Sequence, residues 1–263
     1  HELALYPQDD LRVFIGSMKE KGLDEHVLNT YEALFCGKVL SMTTCHEKEN
    51  KTCQERLRHF LKRYDSISFD NITPDLKAKI TKSFVSPRPI AWVMTKHKDV
   101  LNLAPFSFFN AAGPDVLSLS VLRKPNGEMK DTAKNLLELK EAVIHIPQVK
   151  DYEKVDASGI AMAYDESEVE KLGLAIRASE SVSVPSLKNT LIAFEVRLLS
   201  HDEIKTKKGD HVMSDFFLLR IETAVLLTDY FEDGYAKLCD LNLLSRLGGP
   251  YYGQTVLDKQ SHL

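Results

Sequence analysis

The stretch from Ser86 to Asn135 constrains this chain more than any other. It opens Ser86-Pro87-Arg88-Pro89-Ile90-Ala91-Trp92-Val93-Met94-Thr95 and continues through Asn102-Leu103-Ala104-Pro105-Phe106-Ser107-Phe108-Phe109-Asn110. It closes on Met129-Lys130-Asp131-Thr132-Ala133-Lys134-Asn135. Two prolines around Arg88 hold the backbone extended and remove two donors, which makes a fixed entry into a strand. Ile90 to Thr95 reads as that strand, bounded by a polar turn at Lys96 to Asp99. The next run alternates, with Asn102, Ala104, Phe106, Phe108 and Asn110 on one face and Leu103, Pro105, Ser107 and Phe109 on the other. Pro105 cannot donate to a ladder, so it marks an edge or a bulge. Val116 to Val121 makes a third strand. After the turn Arg123-Lys124-Pro125-Asn126-Gly127, Lys130-Asp131-Thr132 opens an apolar-periodic helix through Leu136, Leu137 and Leu139. A helix start with a lysine and a hydroxyl beside it suits a phosphate dianion.

These segments resemble the flavin-reductase-like family of FMN-binding split barrels, in its flavoredoxin-like branch. That branch carries S-P-R-P-I-A-W-V-S-T, then N-L-A-P-F-S-F-F, then D-G-x-x-K-D-T-x-x-N. Leu191-Ile192-Ala193-Phe194-Glu195-Val196-Arg197-Leu198 is similar to its penultimate strands, and Arg246-Leu247-Gly248-Gly249-Pro250-Tyr251-Tyr252 to its C-terminal signature. The resemblance spans residues 66–253. It departs at Met94, where a serine is usual, at Asn126, where an aspartate is, and in the turn before Asn102, which has no glycine.

The resemblance implies a mainly β fold with flanking helices, an FMN-binding split β-barrel over residues 66–263. It also implies a cofactor site. Trp92 to Thr95 and Asn102 to Asn110 would line the isoalloxazine and ribityl chain, with Ala104, Ser107, Phe108 and Asn110 bonding the ring's polar edge. Lys130, Asp131 and Thr132 would hold the phosphate, with Arg88 and Arg123 as further anion ligands. Each assignment has a plainer counterpart: Trp92 and Phe108 as core, Lys130 as a solvated helix-start lysine, Arg88 as a surface charge, Thr132 as a helix cap. A flavin does its own redox chemistry, so no catalytic side chain is assigned.

Residues 1–65 lie outside the resemblance and read as a short all-α segment of three helices. Asp9 or Asp10 caps the first, Asp24 the second, and Thr52-Cys53-Gln54-Glu55 is a capping box for the third. Three short helices bury little surface alone. Later in the chain, Ala142 to Ile146 reads as a strand, Val149 to Tyr164 as a helix, and Ser167-Glu168-Val169-Glu170 as a capping box. Ser181 to Pro185 reads as extended, with strands over Thr190 to Ser200 and Asp215 to Leu227. Cys36, Cys45, His46, Cys53 and His59 have no close C-x2-C pair, so buried small side chains account for them better than a metal does. His145, mid-strand, reads as a satisfied core histidine.

The 263 residues are 43% hydrophobic, enough for a core of one large or two modest domains. A formal net charge of -4 gives no basic footprint for nucleic acid, and no apolar run is long enough to span a membrane. Four cysteines do not make a disulfide scaffold, and a cytoplasmic setting is expected. The sequence starts at His1, so a removed leader stays open. The resemblance implies a homodimeric FMN oxidoreductase that uses NADH or NADPH to reduce flavin or another small-molecule substrate. The alternative is an FMN electron-transfer protein with little NAD(P)H activity, and a weaker third reading changes the ligand to haem or pyridoxal phosphate. The acceptor, the choice of nicotinamide and the need for a protein partner are not written in the sequence.

Overall fold

The computed structural model describes residues 67–232 and 234–254. The chain divides into two units at Ser68 and Phe69, and the described residues lie almost wholly in the second. The helices expected over residues 1–65 fall outside the described residues.

Seven antiparallel strands form the main sheet, in the order β3-β2-β6-β9-β10-β5-β4. They are β2 (Ala91–His97), β3 (Val100–Phe106), β4 (Phe109–Ala111), β5 (Val116–Leu122), β6 (Glu141–His145), β9 (Ile192–Lys205) and β10 (Val212–Leu226). A smaller sheet joins β1 (Arg88–Pro89), β13 (Leu244–Arg246) and β14 (Tyr252–Gln254). The remaining strands form two two-stranded ladders, β7 (Ile176–Arg177) with β8 (Ser186–Leu187) and β11 (Phe231–Glu232) with β12 (Tyr235–Ala236). The described helices are α1 (Pro74–Phe84), α2 (Asp131–Leu139), α3 (Tyr152–Ala157), α4 (Glu168–Lys171) and α5 (Leu238–Leu241).

The strand order forces closure. β3 and β4 are the two outer strands, yet only Ser107 and Phe108 separate them in the chain. Three Cα steps span at most about 11 Å. In a flat sheet, six inter-strand spacings would hold these edges about 28 Å apart. The sheet must therefore curl until its edges meet, and Ser120 N–H of β5 donates to the Phe108 carbonyl at 2.8 Å, carrying the β4–β5 pairing into the link. Three register shifts between β9 and β10 supply bends for that curl. The result is a split β-barrel, as expected.

Both faces of the sheet are covered. Inside, Ala91, Val93, Phe106, Phe109, Leu117, Leu119, Val121, Ile144, Phe217 and Leu219 pack with Ala133 and Leu136 of α2. Outside, Trp92, Met94, Leu103 and Val143 pack under Val155 of α3, Val169 of α4 and Val182, Val184 and Leu187. This two-sided burial explains why the strand around Trp92 is an unbroken apolar run.

Two carboxylates tie the outer layer down. Glu195, fully buried, accepts from the N–H groups of Glu180 (2.9 Å) and Ser181 (2.6 Å) and from the Ser181 hydroxyl (2.8 Å). Glu141 accepts from Ser183 N–H (2.7 Å) and from Arg197 (2.5 Å). Burial works to raise both pKa values, but these donors outweigh it and hold both below the usual carboxylate range.

Several expected boundaries move. The alternation does not run through to Asn110: β3 stops at Phe106, and Phe106 and Phe109 both face the interior because the seam shifts the phase by one residue. The helix expected over Val149 to Tyr164 is a single 3-10 turn followed by α3. It ends at Ser158, whose hydroxyl donates to the Val155 carbonyl. Ser181 to Val184 bends around the carboxylates instead of running extended. α1, with Thr73 as its N-cap and Pro74 at its first position, has no counterpart in the sequence reading.

His145 is fully buried on the outer face. Leu187 N–H donates to its Nε2 (3.0 Å), so Nδ1 carries the proton and donates to the Trp92 carbonyl (3.0 Å). Burial, chiefly, lowers its pKa from 6.5 to about 4. The unfolded chain then takes up a proton that the folded chain refuses. Stability is full above pH 6.5 and falls as pH drops, by about 1.4 kcal/mol per unit, until pH nears 4. Urea unfolding should lose about 2–3 kcal/mol between pH 6.5 and pH 4.5, and His145→Gln should flatten that slope. An unchanged slope in the variant would place the pH dependence elsewhere.

Candidate functional site

One cavity of about 470 Å³ lies against the seam, a size that suits a small ligand. Its apolar wall includes Ile90, Pro105, Phe106, Phe108, Leu122 and Ile160. Its charged wall is Lys82 of α1, Arg88 of β1, Lys130 at the N-cap of α2, and Arg246 of β13, against the single carboxylate of Asp156. Asp156 accepts from the Tyr252 hydroxyl at 2.8 Å.

None of the four cations forms an ion pair with a carboxylate among the described residues. Burial pushes the Lys130 ammonium below the ordinary lysine range, and Lys124 and Lys82 push it further. It sits 5.7 Å from the centre of the Phe106 ring. Burial likewise lowers Arg88, with Arg246 adding to the effect. Like charges gathered in a desolvated wall without counter-ions make a site for an anion.

Arg88 does a different job from its neighbours. It is 6% exposed, and its guanidinium donates to the carbonyls of Lys82 (2.5 Å), Val85 (2.6 Å) and Leu247 (3.0 Å). It thereby ties the end of α1 to the loop after β13, with Ser107 Oγ 3.4 Å from Nε. That loop also needs its glycines. A Cβ on Gly248 would lie 2.9 Å from Ser83 Cα, and Gly249 takes a φ of +61°.

Of the residues expected to bind the cofactor, the structure brings Arg88, Ser107, Phe108 and Lys130 to this cavity. The others do not line it. Trp92 is buried in the outer core and donates from Nε1 to Ser158 Oγ at 2.9 Å. Thr95, Asn102 and Thr132 form an interior network: the Thr132 and Thr95 hydroxyls reach Asn102 Oδ1 at 2.8 and 3.2 Å, while Asn102 Nδ2 donates to Glu168 at 3.2 Å. Asn135 bonds Thr95 (3.1 Å) and accepts from the Tyr164 hydroxyl (2.8 Å). Ala104 is half-buried against the barrel core. Asn110 is exposed and accepts from the N–H of Ala111. Asp131 meets Lys134 at 3.3 Å. Arg123, the reserve phosphate ligand of the sequence reading, is spent on carboxylates. It grips buried Asp215 through two bonds of 3.1 and 3.0 Å and reaches Glu203 at 2.8 Å, and the Asp215 bonds raise its pKa.

Lys82 and Arg246 were missed. The Thr73-Pro74-Asp75 helix start signals α1, and with it a lysine in the last turn. Arg246 lay within the quoted C-terminal signature but was given no role.

Comparison with known proteins bears on the family and the fold. Residues 84–236, more than half of the chain, match the flavin reductase like domain. The chain belongs to the flavin reductase-like family. An uncharacterized protein of Halalkalibacterium halodurans, BH2278, is 42% identical over 173 residues, covering 65% of this chain and 82% of its own length. Component B of nitrilotriacetate monooxygenase from Bacillus cereus is 32% identical with a TM-score of 0.71, over 77% of this chain and 100% of that one. Flavoredoxin from Methanosarcina acetivorans shares the fold at 17% identity, with a TM-score of 0.59, over 77% of this chain and 96% of that one. Among the described residues, no helix is long and apolar enough to cross a membrane.

The cavity draws cations from α1 and from the end of β13, where the Gly248 loop begins, so their separation should govern its affinity for anions. Gly248→Ala would force Ser83 and that loop apart. Overpacking of this kind costs about 1–3 kcal/mol. The variant should lose that much in urea unfolding and bind inorganic pyrophosphate at least threefold more weakly by calorimetry. Unaltered affinity would mean that the two cation-bearing segments do not act on one site.

Proposed function

We propose that the protein is an FMN-binding oxidoreductase that takes hydride from NADH or NADPH and reduces flavin or another small acceptor. The observation that carries this reading is the wall of four cations without carboxylate partners among the described residues, set against an apolar wall at the barrel seam. A phosphate dianion answers the charge, and Phe106, Phe108 and Ile90 suit a flat apolar ring. Membership of the flavin reductase-like family supports the same ligand.

Bound there, FMN would supply the two-electron chemistry of hydride acceptance and electron delivery. The chain's residues do the rest. Lys130 and Lys82 hold the phosphate through charge-assisted bonds. Phe106 and Phe108 exclude water from one side of the ring. The N–H groups of Ser107 and Phe108 have no acceptor among the described residues and are left for the ring's polar edge. Arg88 holds the wall together through its carbonyls. A homodimer fits the exposed apolar rim: Ile160 is 66% exposed and Phe84 84% exposed in the single chain, and a second copy would cover them.

The protein should bind FMN and turn yellow, and should oxidise NADH or NADPH with free flavin present. Losing a hydrogen bond to a charged group costs about 1.5–3 kcal/mol. Lys82→Ala with Lys130→Ala should therefore weaken FMN at least tenfold, while riboflavin, which lacks the phosphate, changes far less. Fluorescence titration of both flavins reads the difference. A colourless protein that does not quench FMN would end the flavin reading. Flavin binding without nicotinamide turnover would make it an electron carrier instead.

A further inference from the structure

The cavity holds more positive charge than one phosphate requires, and the charge falls into two groups. Lys130 sits over the Phe106 ring, whereas Arg88 and Arg246 face each other across the β1–β13 ladder, with Arg246 over the Tyr252 ring. The first group accounts for the flavin phosphate. In the second, Arg88 is consumed by three backbone carbonyls.

Arg246 is not consumed. It is half-buried, and its one hydrogen bond runs from Nη2 to the Gly249 carbonyl at 3.2 Å. Its Nε and Nη1 have no acceptor among the described residues. The strand ladder fixes its backbone from both sides, opposite Arg88 on β1 and Tyr252 on β14. Its guanidinium lies over the Tyr252 ring, 4.2 Å from the centroid. That ring is itself anchored, by the hydroxyl on Asp156 at 2.8 Å and by edge contact with Tyr152 at 4.9 Å. Burial and then the Asp156 bond push the Tyr252 phenol up to about 12, so it stays neutral beneath the guanidinium. A guanidinium held over an aromatic ring with unspent donors is organised for bidentate capture of an oxyanion.

We propose that Arg246, held over Tyr252, forms a second oxyanion subsite of the cavity, apart from Lys82 and Lys130, which takes the phosphate or carboxylate of the molecule that exchanges electrons with the flavin. The redox role of the bound molecule rests on the FMN reading; the affinity of Arg246 for an oxyanion does not. The substrate class that follows is anionic. The anion has two possible sources, the phosphates of the nicotinamide dinucleotide or an acidic group on the acceptor.

The test uses the FMN-loaded full chain with Arg246→Gln and Arg246→Lys. Calorimetry with inorganic pyrophosphate should show binding weakened at least tenfold in the glutamine variant and less in the lysine variant, which keeps the charge but loses the fork. The loss for FMN in the same variants should be several-fold smaller. Steady-state KM then identifies the source. A rise for NADH that exceeds the rise for the neutral donor 1-benzyl-1,4-dihydronicotinamide assigns the subsite to the dinucleotide. A rise for FMN as free acceptor that exceeds the rise for riboflavin assigns it to the acceptor. Tyr252→Leu, which leaves the arginine and removes its platform, should weaken pyrophosphate to an intermediate degree and guards against misfolding of the arginine variants. Unchanged pyrophosphate affinity, or equal losses for pyrophosphate and FMN, would overturn the proposal. A protein that never binds FMN would fail the proposed function separately. Pyrophosphate titration of Lys82→Ala, Lys130→Ala with and without Arg246→Gln would then still decide the subsite: binding lost with the arginine supports it, and binding indifferent to the arginine overturns it.

Discussion

The two-residue link between β3 and β4 is the constraint on which the rest of this molecule depends. Ser107 and Phe108 are too short to bridge a flat seven-stranded sheet, so the sheet curls and its edges meet. Curling creates an interior that Phe217, Leu119 and Phe109 fill. It also leaves an outer face whose central strands are just as apolar. Trp92, Met94 and Val143 on that face need cover, and α3, α4 and the 179–187 loop provide it. The loop has little regular structure of its own, so Glu141 and Glu195 accept its N–H groups in place of a sheet ladder. Closure, two-sided burial and the carboxylate anchors are thus one chain of necessity.

The same necessity governs where polar side chains end up. Thr95, Asn102, Thr132 and Asn135 lie where strands β2 and β3 meet α2 and α4. A polar group buried there needs a partner, and each finds one in the others or in Glu168 and Tyr164. These groups serve cohesion between layers. Arg88 is the extreme case, a buried cation satisfied by three carbonyls and a serine hydroxyl without a carboxylate among the described residues.

Much of this was legible in the residues. The run at Ile90 to Thr95, the strand at Val116 to Val121 and the Lys130 helix start all gave their elements, and the ordered motifs pointed to the barrel. The losses have physical reasons. Phe108 was put in phase with Phe106 because a period-2 pattern carries no mark where a strand ends and a seam begins. The helix after Val149 was drawn too long because nothing between Tyr152 and Gly159 breaks the pattern before Ser158 bonds back to its own helix. Within the cavity, Lys130 and Phe108 stand where the resemblance implied ligand contacts, and both line its wall. Thr132 and Asn102 were read as ligands because a threonine at a helix start looks the same whether it faces a phosphate or a buried amide. Arg123 could not be told from a phosphate arginine without knowing that Asp215 and Glu203 stand across two strands. Lys82 and Arg246 come from opposite ends of the unit, and only the tertiary fold brings them together.

The link that closes the barrel also lines the cavity, since Ser107 and Phe108 belong to both. Whatever occupies the cavity is therefore a clasp on the seam. A ligand that binds only the closed barrel stabilises it by mass action, about 2.7 kcal/mol at a hundredfold excess over its dissociation constant. The resistance of this barrel to opening is thus set partly by the concentration of a small molecule around it.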